Sequence, residues 1–292
     1  MAESGNASPF QPPRRVVKAY QNAQFLSSAD ARVIRILAEY LEPLQRFRRM
    51  NVRETIVFFG SSRARPPVAV RGELEAAQQE KRKCPGRVPA DLQRRLERLQ
   101  RDLQLSLYYE DAEELAALLT RWARSLDQGH RFVICSGGGP GIMEAANRGA
   151  AERARGLTVG LTISLPTEER PNPFVTPELL FEFHYFFMRK LWFVYLACAM
   201  VIFPGGFGTM DELFELLTLV QTRKVDRPIP IVLYGRKFWR EFIDFEALVR
   251  WGTVGPGDIR LFRMCDSPRE AFEFLRRELL RHYPRPVQWG RP

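Results

Sequence analysis

Short apolar runs separated by helix-length segments constrain this chain more than any other feature. E-T-I-V-F-F (54–59), R-F-V-I-C (131–135), L-T-V-G-L-T-I (157–163), A-M-V-I-F (199–203) and I-P-I-V-L-Y (229–234) have almost no polar face. A strand without a polar face must be covered on both sides, which happens when helices flank a parallel sheet. Helical segments are expected over 109–128, 140–155, 186–198, 209–223, 237–251 and 268–282, with a further strand near 180–184. The alternation predicts an α/β protein, a Rossmann-like doubly wound parallel sheet with helices on both faces. In such sheets ligands gather at the carboxyl ends of the strands.

Three regions stand outside that alternation. Residues 1–50 read as a polar, Pro-bearing tail followed by one or two helices, and 285–292 as a C-terminal tail, leaving 51–284 for the main domain. Residues 66–105 read as a helical hairpin inserted between core elements. Within it Leu92, Leu96, Leu99 and Leu103 recur at spacings of 4, 3 and 4, a coiled-coil-like seam suited to an interface between subunits.

Composition removes several classes of function. The net charge of +10 is concentrated in residues 1–105, which hold 20 Lys/Arg against 11 Asp/Glu. Without an aromatic platform for single strands, that excess reads as solvated helix faces and subunit-facing arginines rather than a nucleic-acid surface. Cys84, Cys135, Cys198 and Cys265 form no C-x-x-C pair, and Cys135 and Cys198 lie in apolar runs. Reduced thiols and a cytoplasmic location are expected, with no structural zinc. Only His130, His184 and His282 are present, which disfavours a multi-histidine metal centre. The polar N-terminus is not read as a signal peptide, and the longest apolar stretch, the 13 residues 191–203, is too short to span a bilayer.

The chemistry is expected in the turns F-F-G-S-S-R (58–63), C-S-G-G-G-P-G-I-M-E (135–144) and P-G-G-F-G-T-M-D-E (204–212). Glycine lets backbone N–H groups approach an anion, and a helix N-terminus adds partial positive charge. Neither of the glycine-rich turns is a dinucleotide fingerprint. Ile142 stands where a third glycine would follow Gly137 and Gly139, and Asp211 where one would follow Gly206 and Gly208. No G-x-x-x-x-G-K-[ST] occurs, so NAD and ATP are not the expected ligands. Thr209 and Glu212 also fit a T-x-x-E capping box, and Gly139-Pro140 fits an N-cap followed by proline. Arg189 and Lys190, adjacent cations inside H-Y-F-F-M-R-K-L-W-F-V-Y, need anions or solvent.

S-G-G-G-P-G-I-M-E-A-A-N-R-G-A, M-R-K and P-G-G-F-G-T-M-D-E together resemble the signature blocks of the LOG family. Its members are cytokinin riboside 5′-monophosphate phosphoribohydrolases, long mislabelled lysine decarboxylases. The match runs over roughly 55–250, and P-N-P-F (171–174) with F-H-Y-F-F-M-R-K looks like the longer bacterial branch, which includes nucleotide 5′-monophosphate nucleosidases. The resemblance implies hydrolysis of the N-glycosidic bond of a nucleoside 5′-monophosphate, of the AMP or cytokinin riboside type, to free base and ribose 5-phosphate. Arg189 and Glu212 match the catalytic pair. Lys190, Gly205, Gly206, Gly208 and Thr209 match nucleotide-binding positions, and Thr218 falls at a binding threonine. Gly137, Gly138 and Gly139 line the adjacent turn, Ser61 belongs to the first turn, and Glu168 sits in a loop that supplies an acidic base or a ribose contact. The resemblance implies no metal or organic cofactor and a homo-oligomer.

Other classes remain at this stage. A non-catalytic nucleotide or cofactor carrier has no need to keep both Arg189 and Glu212. A nucleic-acid binder would rest on the basic first third alone.

Overall fold

A computed structural model describes residues 16–127, 130–164 and 170–285. The chain divides into two compact units, residues 1–42 and 43–292. In the first, α1 (Ala23–Leu26) is capped by Asn22, whose Oδ1 accepts from Phe25 N–H at 3.1 Å. The Arg35 guanidinium donates to Leu26 O and Ser28 O at 2.7 and 2.6 Å, joining α1 to α2 (Arg32–Arg49).

The second unit continues through β1 (Thr55–Phe59), α3 (Pro67–Lys83), α4 (Ala90–Asp127), β2 (Val133–Ser136) and α5 (Ile142–Arg148). It then runs through β3 (Thr158–Ile163), β4 (Leu180–Phe183), α6 (Phe186–Tyr195), β5 (Ala197–Ile202) and α7 (Phe207–Gln221). It closes with β6 (Ile231–Tyr234), α8 (Arg236–Phe242), α9 (Phe245–Arg250), β7 (Phe262–Cys265) and α10 (Pro268–His282). The seven strands form one parallel sheet in the order β4-β3-β2-β1-β5-β6-β7. This is the expected α/β Rossmann-like architecture. Every residue of β1, β2, β5 and β6 is buried, as their uniformly apolar sequences require. Chain order runs outward from β1 to β4, then restarts at β5 on the other side of β1. The crevice of a doubly wound sheet opens where that order reverses, at the carboxyl ends of β1 and β5.

Aromatic stacking ties this region to the core. Phe58 stacks on Phe203, and Phe203 on Tyr234 with centroids 4.4 Å apart. At the opposite ends of the strands, Arg131 forms a fork on Glu54 (2.7 and 3.2 Å) and donates to Tyr283 O at 2.8 Å. Arg131 is 6% exposed and Glu54 1%.

Several local expectations change. Residues 66–105 are not a self-contained hairpin, because α4 runs unbroken from Ala90 to Asp127 and its later turns belong to the main core. The leucine seam is also satisfied within the chain. Leu92, Leu96 and Leu99 pack with Leu74 and Ala77 of α3, so those leucines are covered without a second subunit. A short strand too small to stand out from the pattern, β7, extends the sheet edge. The helix starts differ as well. α5 begins at Ile142 after Gly141 rather than at Pro140, because Gly141 takes a φ of 75°. α7 begins at Phe207 with Gly206 as its N-cap, which puts Thr209 one turn too late for a T-x-x-E box. Among the described residues, no side chain caps that helix.

Candidate active site

The turn after β1 organises the other two. Ser61 N–H donates to Pro204 O at 2.9 Å, and Ile142 N–H donates to Ser61 O at 3.1 Å. The contact with the second turn is so close that a Cβ on Gly141 would lie 2.3 Å from Ser61 O. A buried polar network holds the second turn from behind. Ser136 Oγ and Asn172 Nδ2 both donate to Asn147 Oδ1, at 2.6 and 3.0 Å. Asn172 also donates to Gly138 O through its backbone and to Gly139 O through its side chain. The three turns therefore form one rigid frame. Asn147 and Asn172 lay inside blocks already conspicuous in the sequence, E-A-A-N-R and P-N-P-F, yet nothing local showed that they would meet.

The frame opens onto a cleft of about 660 Å³. Ser61, Arg189, Gly205, Gly206, Gly208, Thr209 and Glu212 all line it. Gly137, Gly138, Gly139, Lys190 and Thr218 do not, and Glu168 lies outside the described residues. Gly137 acts behind the wall, since a Cβ there would sit 2.6 Å from Met143 Sδ and 2.7 Å from Arg189 Nη2. Gly138 packs on β3, with φ of 71°. Thr218 is exposed three turns along α7, its hydroxyl donating to Phe214 O at 2.7 Å. Sequence reasoning missed Phe186, Phe207 and Phe238 on the cleft walls, because an aromatic near a helix start looks the same whether it faces core or ligand.

Helix geometry separates the charged neighbours. Successive residues on an α-helix point about 100° apart. On α6, Arg189 turns inward, donating Nε to Leu161 O at 2.7 Å with its guanidinium 5.0 Å from the Phe193 ring centroid. Lys190 turns toward α7 and is held by Asp211 and Glu215, at 2.8 and 2.7 Å. Those carboxylates are four residues apart and share one helix face. Glu212, on the next face, points into the cleft. It is 9% exposed and makes no hydrogen bond or ion pair among the described residues.

Burial pushes the Glu212 carboxyl up to about 7, against the lowering influence of Lys190 and Arg189; Glu215 and Asp211 add to the rise. Burial pulls Arg189 down while Glu212 opposes it. Burial also opposes the charge on Lys190, but its bonds to Asp211 and Glu215 outweigh that and bring it to about 12. A carboxylate that titrates near neutrality in a cleft is suited to proton transfer or to stabilising nearby positive charge.

The start of α7, the same helix that carries Glu212, suits an anion. With Gly206 as N-cap, the N–H groups of Phe207, Gly208 and Thr209 have no intrahelical acceptor. A Cβ on Gly206 or Gly208 would meet nothing within 4 Å, and neither has positive φ. Packing among the described residues does not require glycine at either position. Gly208→Ala should accordingly raise stability by up to about 1 kcal/mol, because alanine suits a helix better. The same change should weaken binding of a phosphorylated ligand, a contrast readable by calorimetry beside urea unfolding.

A family model described as "possible lysine decarboxylase" matches residues 143–275. Curated relatives match as well: the pyrimidine/purine nucleotide 5′-monophosphate nucleosidases of Escherichia coli strains K12 and O157:H7 are each 38% identical over 112 residues. That alignment covers 36% of this chain and 24% of each relative, so the chain spans about a quarter of their length. The family-model match takes in M-R-K and P-G-G-F-G-T-M-D-E, two of the blocks on which the resemblance to the LOG family rests. Among solved structures, a molybdenum cofactor carrier protein from Chlamydomonas reinhardtii is 19% identical, covering 59% of this chain and 88% of its own. Its TM-score is 0.36, at which the likeness carries no argument. Among the described residues, no helix is long and apolar enough to cross a membrane.

Proposed function

We propose that this protein hydrolyses the N-glycosidic bond of nucleoside 5′-monophosphates, releasing free base and ribose 5-phosphate. The observation that carries this reading is Glu212. It is a nearly buried carboxyl without a hydrogen-bond partner among the described residues, lining one cleft with Arg189 and with the free amides that begin its own helix. The names of the curated relatives support the reaction class. The catalytic unit is assigned to residues 51–284, with 1–50 and 285–292 outside it.

Departure of the base builds oxocarbenium-like positive charge on the ribose. The Glu212 carboxylate stabilises that charge and orients the attacking water. Arg189 and Glu212 form no ion pair, which leaves space between them for the sugar, and Arg189 helps keep Glu212 ionised. The amides at the start of α7 hold the phosphate, so its binding energy aligns the scissile bond. Thr209, Gly205, Gly206, Gly208 and Ser61 contribute the phosphate and ribose contacts. Lys190 acts at one remove, fixing α6 against α7 through Asp211 and Glu215.

The test incubates the purified protein with purine, pyrimidine and N6-substituted adenine nucleoside 5′-monophosphates and measures free base by chromatography. Release from at least one, lost in Glu212→Ala, is the expected result. Binding without release would instead favour a nucleotide carrier.

A further inference from the structure

We infer that Arg63 reads the phosphate of the ligand, clamping it from the β1 turn while the α7 amides hold it from the β5 turn. The inference rests on the nucleotide reading of the cleft and assigns it a specificity-determining side chain.

Arg63 lines the cleft together with Gly206, Gly208 and Thr209. Its backbone is set by the frame that joins the three turns: Arg63 N–H donates to Ser61 Oγ at 3.1 Å, and Ser61 N–H donates to Pro204 O. The side chain is exposed and makes no hydrogen bond or ion pair among the described residues. The neighbouring basic groups are engaged. Arg65, two residues on, is held by Glu73 at 2.8 Å. Lys190 is held by two carboxylates, and Arg189 Nε by Leu161 O. Whereas Arg189 has its Nε engaged, Arg63 is thus a cleft-lining cation whose whole guanidinium is free to meet an anion among the described residues. Its five donors match phosphate bidentately, whereas the helix amides supply single bonds from a fixed direction. The two acids on the cleft, Asp211 and Glu212, make an uncompensated anion costly there, so a second cation beside the amides favours phosphate binding.

The test is ribose 5-phosphate binding to the full chain by titration calorimetry, with ribose as the unphosphorylated control. Arg63→Gln should weaken ribose 5-phosphate about 10- to 100-fold, as expected for loss of charge-assisted hydrogen bonds. Arg63→Lys should recover part of that loss, and the salt dependence of affinity should flatten in Arg63→Gln. In turnover, the glutamine variant should raise KM for the nucleotide much more than it lowers kcat. Wild-type affinity in Arg63→Gln would overturn the role of Arg63 while leaving the nucleotide reading intact. Absence of ribose 5-phosphate and nucleotide binding in the wild type would overturn both.

Discussion

Glu212→Gln is expected to lower turnover of the preferred nucleoside 5′-monophosphate by about 10²–10⁴-fold, the range for removing a positioned acid–base group. Substrate affinity should change far less, because the phosphate is held by other groups. The wild-type pH profile should report the same carboxyl. Since the carboxylate form does the work, kcat/KM should rise with pH through about 7 and then level, with Glu212 as the titrating group. A glutamine side chain cannot titrate there, so the variant's residual rate should lose that limb.

Stability should move in the opposite direction. The folded-state value for Glu212, about 7, lies above its ordinary 4.5, so the fold binds this proton more tightly than the unfolded chain does. The resulting stabilisation is present in full below about pH 4.5 and is lost as pH rises through 7. Glutamine avoids that loss. At pH 8 the variant should be more stable than wild type by up to about 3 kcal/mol, 1.36 kcal/mol per unit setting the upper bound. Urea unfolding at pH 5 and pH 8 measures the difference, and equal stabilities at both would show that Glu212 is not buried as a charge.

Arg131→Met should cost about 3–5 kcal/mol, because it removes the cation that forks onto the Glu54 carboxylate at 1% exposure. The loss includes the fork to both Glu54 oxygens and the bond to Tyr283 O that ties the end of α10 to the strand starts. Replacing both partners, Glu54→Leu with Arg131→Met, should recover much of that cost, since the buried carboxylate is removed together with its cation. Both residues sit at the amino ends of β1 and β2, away from the cleft at the carboxyl ends. Folded Arg131→Met should therefore keep a wild-type KM. A changed KM would indicate that the two ends of the sheet are coupled.

The legible part of the fold was whatever depended on local pattern. A run such as residues 199–203 is apolar on both faces, and only a two-sided burial accommodates it. The illegible part depended on partners distant in sequence. The seam at Leu92, Leu96 and Leu99 has the same spacing whether α3 or another subunit covers it. The Thr209–Glu212 spacing fits a capping box, but backbone at Gly206 starts the helix earlier.

The sequence by itself determined the parallel sheet, the glycine-rich turns at its strand ends, and Arg189 and Glu212 as the charged pair to watch. Tertiary structure alone decided how adjacent charges are used. One residue step along α6 sends Arg189 to the cleft and Lys190 to α7, and the same step along α7 separates Asp211 from Glu212. It also joined Ser136, Asn147 and Asn172 into the support of a turn none of them announced. The physical reason is that hydrophobic periodicity is written locally, whereas a carboxyl's protonation and a cation's freedom depend on which groups the fold brings around it.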